Sequence, residues 1–331
     1  MKSSLLEDDF FVFQEVEDMR KVLVLIMMML LAGCSTQVEN TRYKVGVVQL
    51  VQHVALDSAT QGFVDELQKE LGDDVEIIIE NAAGDTANCT IIVDGFIQDG
   101  VDLILANATP ALQAAYSATG DIPILGTSVT EYGVALDIDN FDGVTGLNVS
   151  GTSDLAPLDE QAQMILDLLP DTKTVGILYC SSEANSIYQV KVVKEYLNNK
   201  GINVVEESFT DSNDIAMVTA DLCNECDAIY IPTDNMAASC AETIYGAMLP
   251  YKTPIFTGDE GTCRGCGVAT LAISYYELGV ETGKMAAEIL TNKTDISTMP
   301  VRYYNNPVKL YNEDICNELG INIPDDYMPL N

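Results

Sequence analysis

The sequence predicts an α/β fold of two similar doubly wound parallel-sheet lobes joined by crossover strands. Three observations carry that prediction. From residue 43 onward, short apolar runs alternate with longer amphipathic ones, the order expected of strands and helices around parallel sheets. The order is written twice: VGVVQ (45–49) returns as VGILY (175–179), VDLILANATP (101–110) as CDAIYIPTDN (226–235), and DIPILGTS (121–128) as TPIFTGDE (253–260). The first pair is offset by 175 − 45 = 130 residues, too long a period for a solenoid. Finally, 331 residues, 47% of them hydrophobic, are enough to fill two cores.

Taken in order, YKVGVVQL (43–50) reads as a strand and ALDSATQGFVDELQKEL (55–71) as a helix, because Ala59, Phe63, Leu67 and Leu71 recur at helical spacing. Strands VEIIIE (75–80), VDLILA (101–106) and IPILG (122–126) follow, separated by helices over 86–99 and 110–118. The second half offers strands TVGILYC (174–180), INVVEES (202–208), DAIYIP (227–232), TPIFTG (253–258) and GVATLAIS (267–274). Its helices are expected over 184–199, 213–224 and 236–248. The small, polar segment GLNVSGTSD (146–154) suits a first crossover. Periodicity alone gives the helix YYELGVETGKMAAEILTN (275–292) and the tail from 300 no place in the repeat.

Open parallel sheets bind ligands beyond the carboxyl ends of their strands, so the residues there are the functional candidates. The first lobe places Gln49, His53, Asn81, Asp85, Asn107, Thr109, Thr127 and Ser128 at such ends. The second places Ser181, Ser182, Asn185, Ser186, Thr233, Asp234, Asn235, Asp259 and Glu260. A single Ser, Thr or Asp there caps a helix. Several adjacent polar residues at each corner exceed what capping needs, which points to a grip on a small molecule.

Composition narrows the partner. With 16 Lys+Arg against 51 Asp+Glu, the net charge of −35 repels phosphate backbones, so nucleic acid is not an expected partner. At the N-terminus, Met19-Arg20-Lys21 precedes the uncharged run VLVLIMMMLLAG and then Cys34. That run is too short to span a membrane and fits a signal peptide over 1–34, with translation starting at Met19. Leu31-Ala32-Gly33-Cys34 resembles the lipobox of bacterial lipoproteins, in which the cysteine is lipidated. The pairs Cys223/Cys226 and Cys263/Cys266 have zinc-ligand spacing, but the first ends a helix and the second lies in a loop, without the hairpin knuckle zinc needs. No metal is expected, and no cofactor.

Catalysis finds little support. His53 is the only histidine, and there is no GxSxG elbow, GxGxxG fingerprint or P-loop. A racemase-like enzyme would use Cys180 at a strand end, but the matching position of the first lobe is Leu50. Binding asks for less. Helix N-termini take a carboxylate and a buried aspartate takes an ammonium, so an amino-acid zwitterion suits these corners, with Asp234 as the expected ammonium partner. A ligand-sensing module for a signalling partner is the other alternative.

Eight motifs in order carry a family resemblance across residues 43–323: GVVQLVQHVALD (46–57), NAAGD (81–85), DLILANATPA (102–111), GTSDLAP (151–157), LYCSSEANS (178–186), DAIYIPTDN (227–235), PIFTGDEG (254–261) and ATLAISYYELGVETGKMAAEIL (269–290). The chain resembles ABC-transporter substrate-binding lipoproteins of the tryptophan/tyrosine type. The resemblance implies the type I periplasmic-binding-protein fold with three crossovers. It implies lobe one at 41–148 plus 274–298 and lobe two at 149–273 plus 299–331. It implies an extracytoplasmic, lipid-anchored and monomeric receptor that hands an aromatic amino acid to an ABC permease. The cleft residues carried over are Gln49, His53, Asn81, Thr109, Thr127, Asp154, Ser182, Asn185, Thr233, Asp234 and Glu260. Val54 departs from the family's usual proline, and the CRGC segment is unusual. With no Trp in the chain, an aromatic ligand would lie on apolar walls or on Tyr, with Tyr132, Tyr275 and Tyr276 as candidates.

Overall fold

The structure is a computed structural model and describes residues 42–304 and 306–330. The expected signal peptide, the start at Met19 and the lipidation site Cys34 lie outside the described residues. In the first half, strands β1 (Tyr43–Gln49), β2 (Val75–Asn81), β3 (Leu103–Asn107), β4 (Ile124–Val129) and β5 (Val149–Ser153) alternate with helices. These helices are α1 (Val54–Leu71), α2 (Thr86–Asp99), α3 (Thr109–Ala118) and the short α4 (Tyr132–Ala135). The second half has β6 (Thr174–Cys180), β7 (Asn203–Phe209), β8 (Ala228–Ile231), β9 (Ile255–Thr257) and β10 (Ala269–Ala272). Its helices are α5 (Leu158–Leu168), α6 (Ala184–Asn199), α7 (Ile215–Glu225), α8 (Asn235–Ser239), α9 (Ala241–Met248) and α10 (Glu260–Cys266). The chain ends with α11 (Tyr275–Asn292), β11 (Arg302–Tyr303), β12 (Val308–Tyr311), α12 (Glu313–Leu319) and β13 (Met328–Pro329).

The repeat read from sequence is a repeat of topology. The first sheet runs β11-β5-β4-β3-β1-β2 and the second β13-β12-β10-β9-β8-β6-β7, so β2-β1-β3-β4-β5 and β7-β6-β8-β9-β10 share one doubly wound order. All pairs in the first sheet are parallel, whereas β12 joins β10 antiparallel in the second. Both faces of each sheet are covered, which is why the strands read as near-continuous apolar runs. Val45 and Val47 face Phe63, Leu67 and Met285, while Val48 on the opposite face meets the cluster of Val93, Phe96 and Leu112. Val175 and Ile177 likewise pack with Val193 and Leu197, and Leu178 with Leu222 and Ile244.

Helix α11, homeless in the sequence repeat, lies against α1 of the first lobe. Glycines let the two backbones meet: a Cβ on Gly62 would stand 2.1 Å from the Tyr276 carbonyl oxygen, and one on Gly279 2.0 Å from that of Ala59. No other residue type fits there without moving a helix.

The boundaries differ from those implied. β5 pairs with β4, and β11 pairs with β5, so both belong to the first sheet. Limits at 148/149 and 298/299 therefore each fall before a strand that the first sheet keeps. The chain crosses after Ser153, between β10 and α11, and between β11 and β12. Two local expectations also change. Residues 236–248 form two helices meeting at Cys240, and the CRGC segment is helical within α10, because the Asp259 side chain caps it by accepting from Thr262 N at 2.8 Å. Among the described residues, no helix is long and apolar enough to cross a membrane, and no group of three His, Cys, Asp or Glu could hold a metal ion.

Candidate functional site

The strand ends of both lobes and two crossovers meet at one cavity. It is lined by His53, Leu56 and Ser128 from the first lobe, and by Asn185, Thr233, Asp234, Asn235, Ala238 and Asp259 from the second. Asp154, just past β5, and Tyr275, the first residue of α11, complete it from the crossovers. The cavity volume is about 10 Å³, room for about one water molecule, so the lobes are shut on each other. The contact across the cleft is direct: His53 Nε2 stands 3.4 Å from Asn235 Oδ1.

Each polar side chain is placed by its local fold. Asp234 ends the β8 corner as the N-cap of α8. Its Oδ1 accepts from Ala237 N at 2.8 Å, and its Oδ2 from Cys180 N at 2.6 Å and Ser186 Oγ at 2.7 Å. Asp259 does the same for α10, its Oδ2 accepting from the Thr262 hydroxyl at 2.6 Å. Both acids line the cavity, yet their oxygens are already engaged. Asp154 differs. Its Oδ2 accepts from Tyr275 OH at 2.8 Å, but its buried Oδ1 has no partner. Asn185 Oδ1, His53 Nδ1 and Ser128 Oγ are also buried without a partner. Ser128 further holds a left-handed φ of 56°, strain of the kind stored at binding sites.

The charges are of one sign. Three aspartates line the cavity, Glu183 is buried beside it, and no Lys or Arg is among the lining residues. Burial pushes the Asp154 carboxyl up to about 6, a rise that the side chains of Tyr275 and Thr130 oppose and the charge of Asp259 assists. Burial also raises Glu183 to about 7, with the neighbouring Asp234 charge adding to it. For His53, burial outweighs the attraction of Asp259 and Asp57 and lowers the imidazole pKa, which keeps it neutral at pH 7. A cationic group entering this cavity would meet charge it can neutralise and acceptors it can fill.

The remaining sequence candidates stand elsewhere. Gln49 is buried below the corner, its amide donating to Asp57 Oδ1 and Val51 O while its oxygen accepts from Thr60. Asn81 is exposed and accepts from Ala83 N. Thr109 and Thr127 are buried in the first lobe, and Ser182 is exposed with its hydroxyl 3.0 Å from Cys180 Sγ. Glu260 points to the rim and pairs with Arg264 at 2.7 Å. None of these six is among the cavity-lining residues. Of the tyrosine candidates, Tyr275 lines the cavity, Tyr132 is wholly buried with its hydroxyl on Thr152 O, and Tyr276 reaches out to Asp65. The Cys180 thiol is buried and pushed up to about 11, so it stays protonated at neutral pH, and no cysteine lines the cavity.

Sequence reasoning overlooked Glu183 altogether and offered Asp259 only among the strand-end candidates. Glu183 follows two serines in an N-cap position, where Asp is the usual acid. The available signal was an acid with more reach than a cap requires.

The sequence model of the ABC transporter substrate binding protein family matches residues 44–329. The Tyrosine-binding protein of Clostridioides difficile (strain R20291) is 34% identical over 283 residues, 84% of this chain and 81% of its own length. The structure of the ABC domain in complex with L-Trp from Streptococcus pneumonia is similar with a TM-score of 0.82 at 34% identity, covering 86% of this chain and 96% of that one. The ligand-free, open structure of a substrate binding protein with adhesive properties from Clostridium difficile gives a TM-score of 0.66 at 36% identity, covering 87% and 99%.

Proposed function

The chain belongs to the family of ABC transporter substrate-binding proteins, and on that premise we propose that it captures an aromatic amino acid between its lobes and delivers it to a membrane permease. The observation that carries the ligand class is the set of buried, unpartnered acceptors in an anionic cavity, above all Asp154 Oδ1 and Asn185 Oδ1. An α-ammonium supplies protons to such atoms and neutralises the carboxylate. The α-carboxylate goes to the N-terminus of α1, whose N-cap His53 makes no side-chain capping bond, so backbone N–H groups and the positive end of the helix dipole face it. The ring lies against Leu56, Ala238 and Tyr275. The relative named Tyrosine-binding protein and the relative in complex with L-Trp support the aromatic choice.

The shut cavity is far smaller than an amino acid, so entry requires the lobes to part and capture requires them to close again. Two relatives of nearly equal identity support this hinge: the L-Trp complex superposes far better than the ligand-free, open form. Isothermal titration at pH 7.5 with L-tyrosine, L-tryptophan and L-phenylalanine tests the ligand. Heat is expected with at least one, and silence with all three removes the aromatic amino acid from the proposal.

The location rests on the N-terminal motif. The mature, monomeric protein is held on the outer face of the cell membrane by a lipid on Cys34. Cys34→Ala is expected to move it from the membrane fraction to the soluble one, and unchanged fractionation would reject the anchor.

A further inference from the structure

We infer that Glu183 is a positioning residue that sets the hydrogen-bond polarity of the whole cavity, turning one acceptor from each lobe toward the ligand. This rests on the reading above that the cavity receives an ammonium. Glu183 itself is absent from the lining; it lies buried behind Asn185 and Asn235. Its Oε2 accepts from Asn235 N at 3.1 Å, Asn235 Nδ2 at 2.5 Å and Asn185 Nδ2 at 3.2 Å, and its Oε1 from Met236 N at 3.0 Å.

The consequences follow from donor and acceptor chemistry. Above about pH 7, where Glu183 is ionised, its carboxylate only accepts, so both amides turn their NH₂ groups toward it. The Asn185 NH₂ is held on the same side by a second acceptor, the Thr233 carbonyl at 2.9 Å. Its Oδ1 is thereby left as the buried, unpartnered acceptor. Asn235 Oδ1 is turned across the cleft toward His53 Nε2, which must carry the imidazole proton to face an oxygen. His53 Nδ1 is then a lone pair without a partner. One carboxylate in the second lobe thus fixes His53 Nδ1 in the first lobe and, together with the Thr233 carbonyl, Asn185 Oδ1 beside it. With Asp154 Oδ1 and the Ser128 hydroxyl they are buried, unpartnered acceptors of residues lining one cavity, open to the protons of an ammonium. Glutamine at 183 would offer an NH₂ where only acceptors stood, allow the Asn235 amide to reverse, and release the imidazole from its single tautomer, while the Thr233 carbonyl still holds the Asn185 amide.

The test is Glu183→Gln in the full chain, with Asn235→Ala as a second variant that removes the acceptor facing His53 while leaving Glu183 intact. The chain has one histidine, so ¹⁵N-labelled imidazole reports a single site. In the ligand-free wild type the Nε2–H tautomer is expected, and in both variants a mixture with Nδ1–H. In Glu183→Gln, the preference for L-tyrosine over 3-(4-hydroxyphenyl)propionate, its analogue without the amine, is expected to narrow roughly tenfold, the size of one mispaired buried hydrogen bond. Identical tautomers in wild type and both variants would overturn the inference, as would equal loss of affinity for the two ligands. Because the tautomer is read without ligand, a wild type that binds neither ligand would reject the amino-acid reading and still leave Glu183 to be judged.

Discussion

Asp154→Asn is expected to raise the Kd for the amino acid by roughly thirtyfold to several thousandfold, about 2–5 kcal/mol, in isothermal titration at pH 7.5. Asparagine keeps an oxygen for the Tyr275 hydroxyl but removes the charge that the ammonium would neutralise. Stability should move the other way. Burial raises this carboxyl to about 6, so at pH 7.5 the ligand-free fold holds a charge its surroundings disfavour. The variant should therefore melt no lower than the wild type without ligand, and the ligand-induced rise in Tm should largely disappear. A folding defect would lower both. Unchanged affinity would show that the ammonium does not sit on Asp154.

The same carboxyl makes binding depend on pH. With its folded pKa raised, Asp154 favours the ligand-free fold most below the ordinary carboxylate range near ~4, and that contribution is lost as pH rises through about 6. Ligand affinity has the opposite sign, since an ammonium needs the ionised form. Lowering the pH from 7.5 to 5 should weaken binding roughly tenfold from this group, and Asp154→Asn should remove that share of the slope, leaving the part that protonation of Glu183 near pH 7 adds.

Asp234→Ala is expected to act on the fold first. The aspartate holds Cys180 N, Ser186 Oγ and Ala237 N, so alanine strands two buried backbone donors and uncaps α8. At about 1–3 kcal/mol for each unsatisfied buried group, a loss of about 3–5 kcal/mol and a clearly lower Tm should result. The protein still folded at low temperature should bind within about tenfold of wild type. Asp234→Asn, which retains a capping oxygen, should lose less stability. Normal melting with lost affinity would reverse this assignment and make Asp234 the ligand's partner.

These two aspartates show how far the sequence could be read. Both stand near strand ends, and both were legible as candidates. Nothing in the order of residues says that Asp234 Oδ2 is already occupied by Cys180 and Ser186, 54 and 48 positions away, while Asp154 Oδ1 is left bare. Glu183 was invisible for a related reason: its importance lies in which amide hydrogens it draws away from the cavity.

The sequence by itself determined the two lobes, their alternating strands and helices, and the corners at which polar groups collect, because periodicity and turn chemistry act over a few residues. It also shows that the GxSxG, GxGxxG and P-loop motifs do not occur, because a motif is a matter of residue order alone. Tertiary structure decided which sheet keeps β5 and β11, where α11 docks, and which polar atoms at the cavity lack a partner. Those outcomes depend on pairing between segments far apart in the chain, β5 with β11 and α1 with α11 among them. A buried atom's chemistry is set by what remains unpaired after every neighbour has packed, and only the packed molecule contains that remainder.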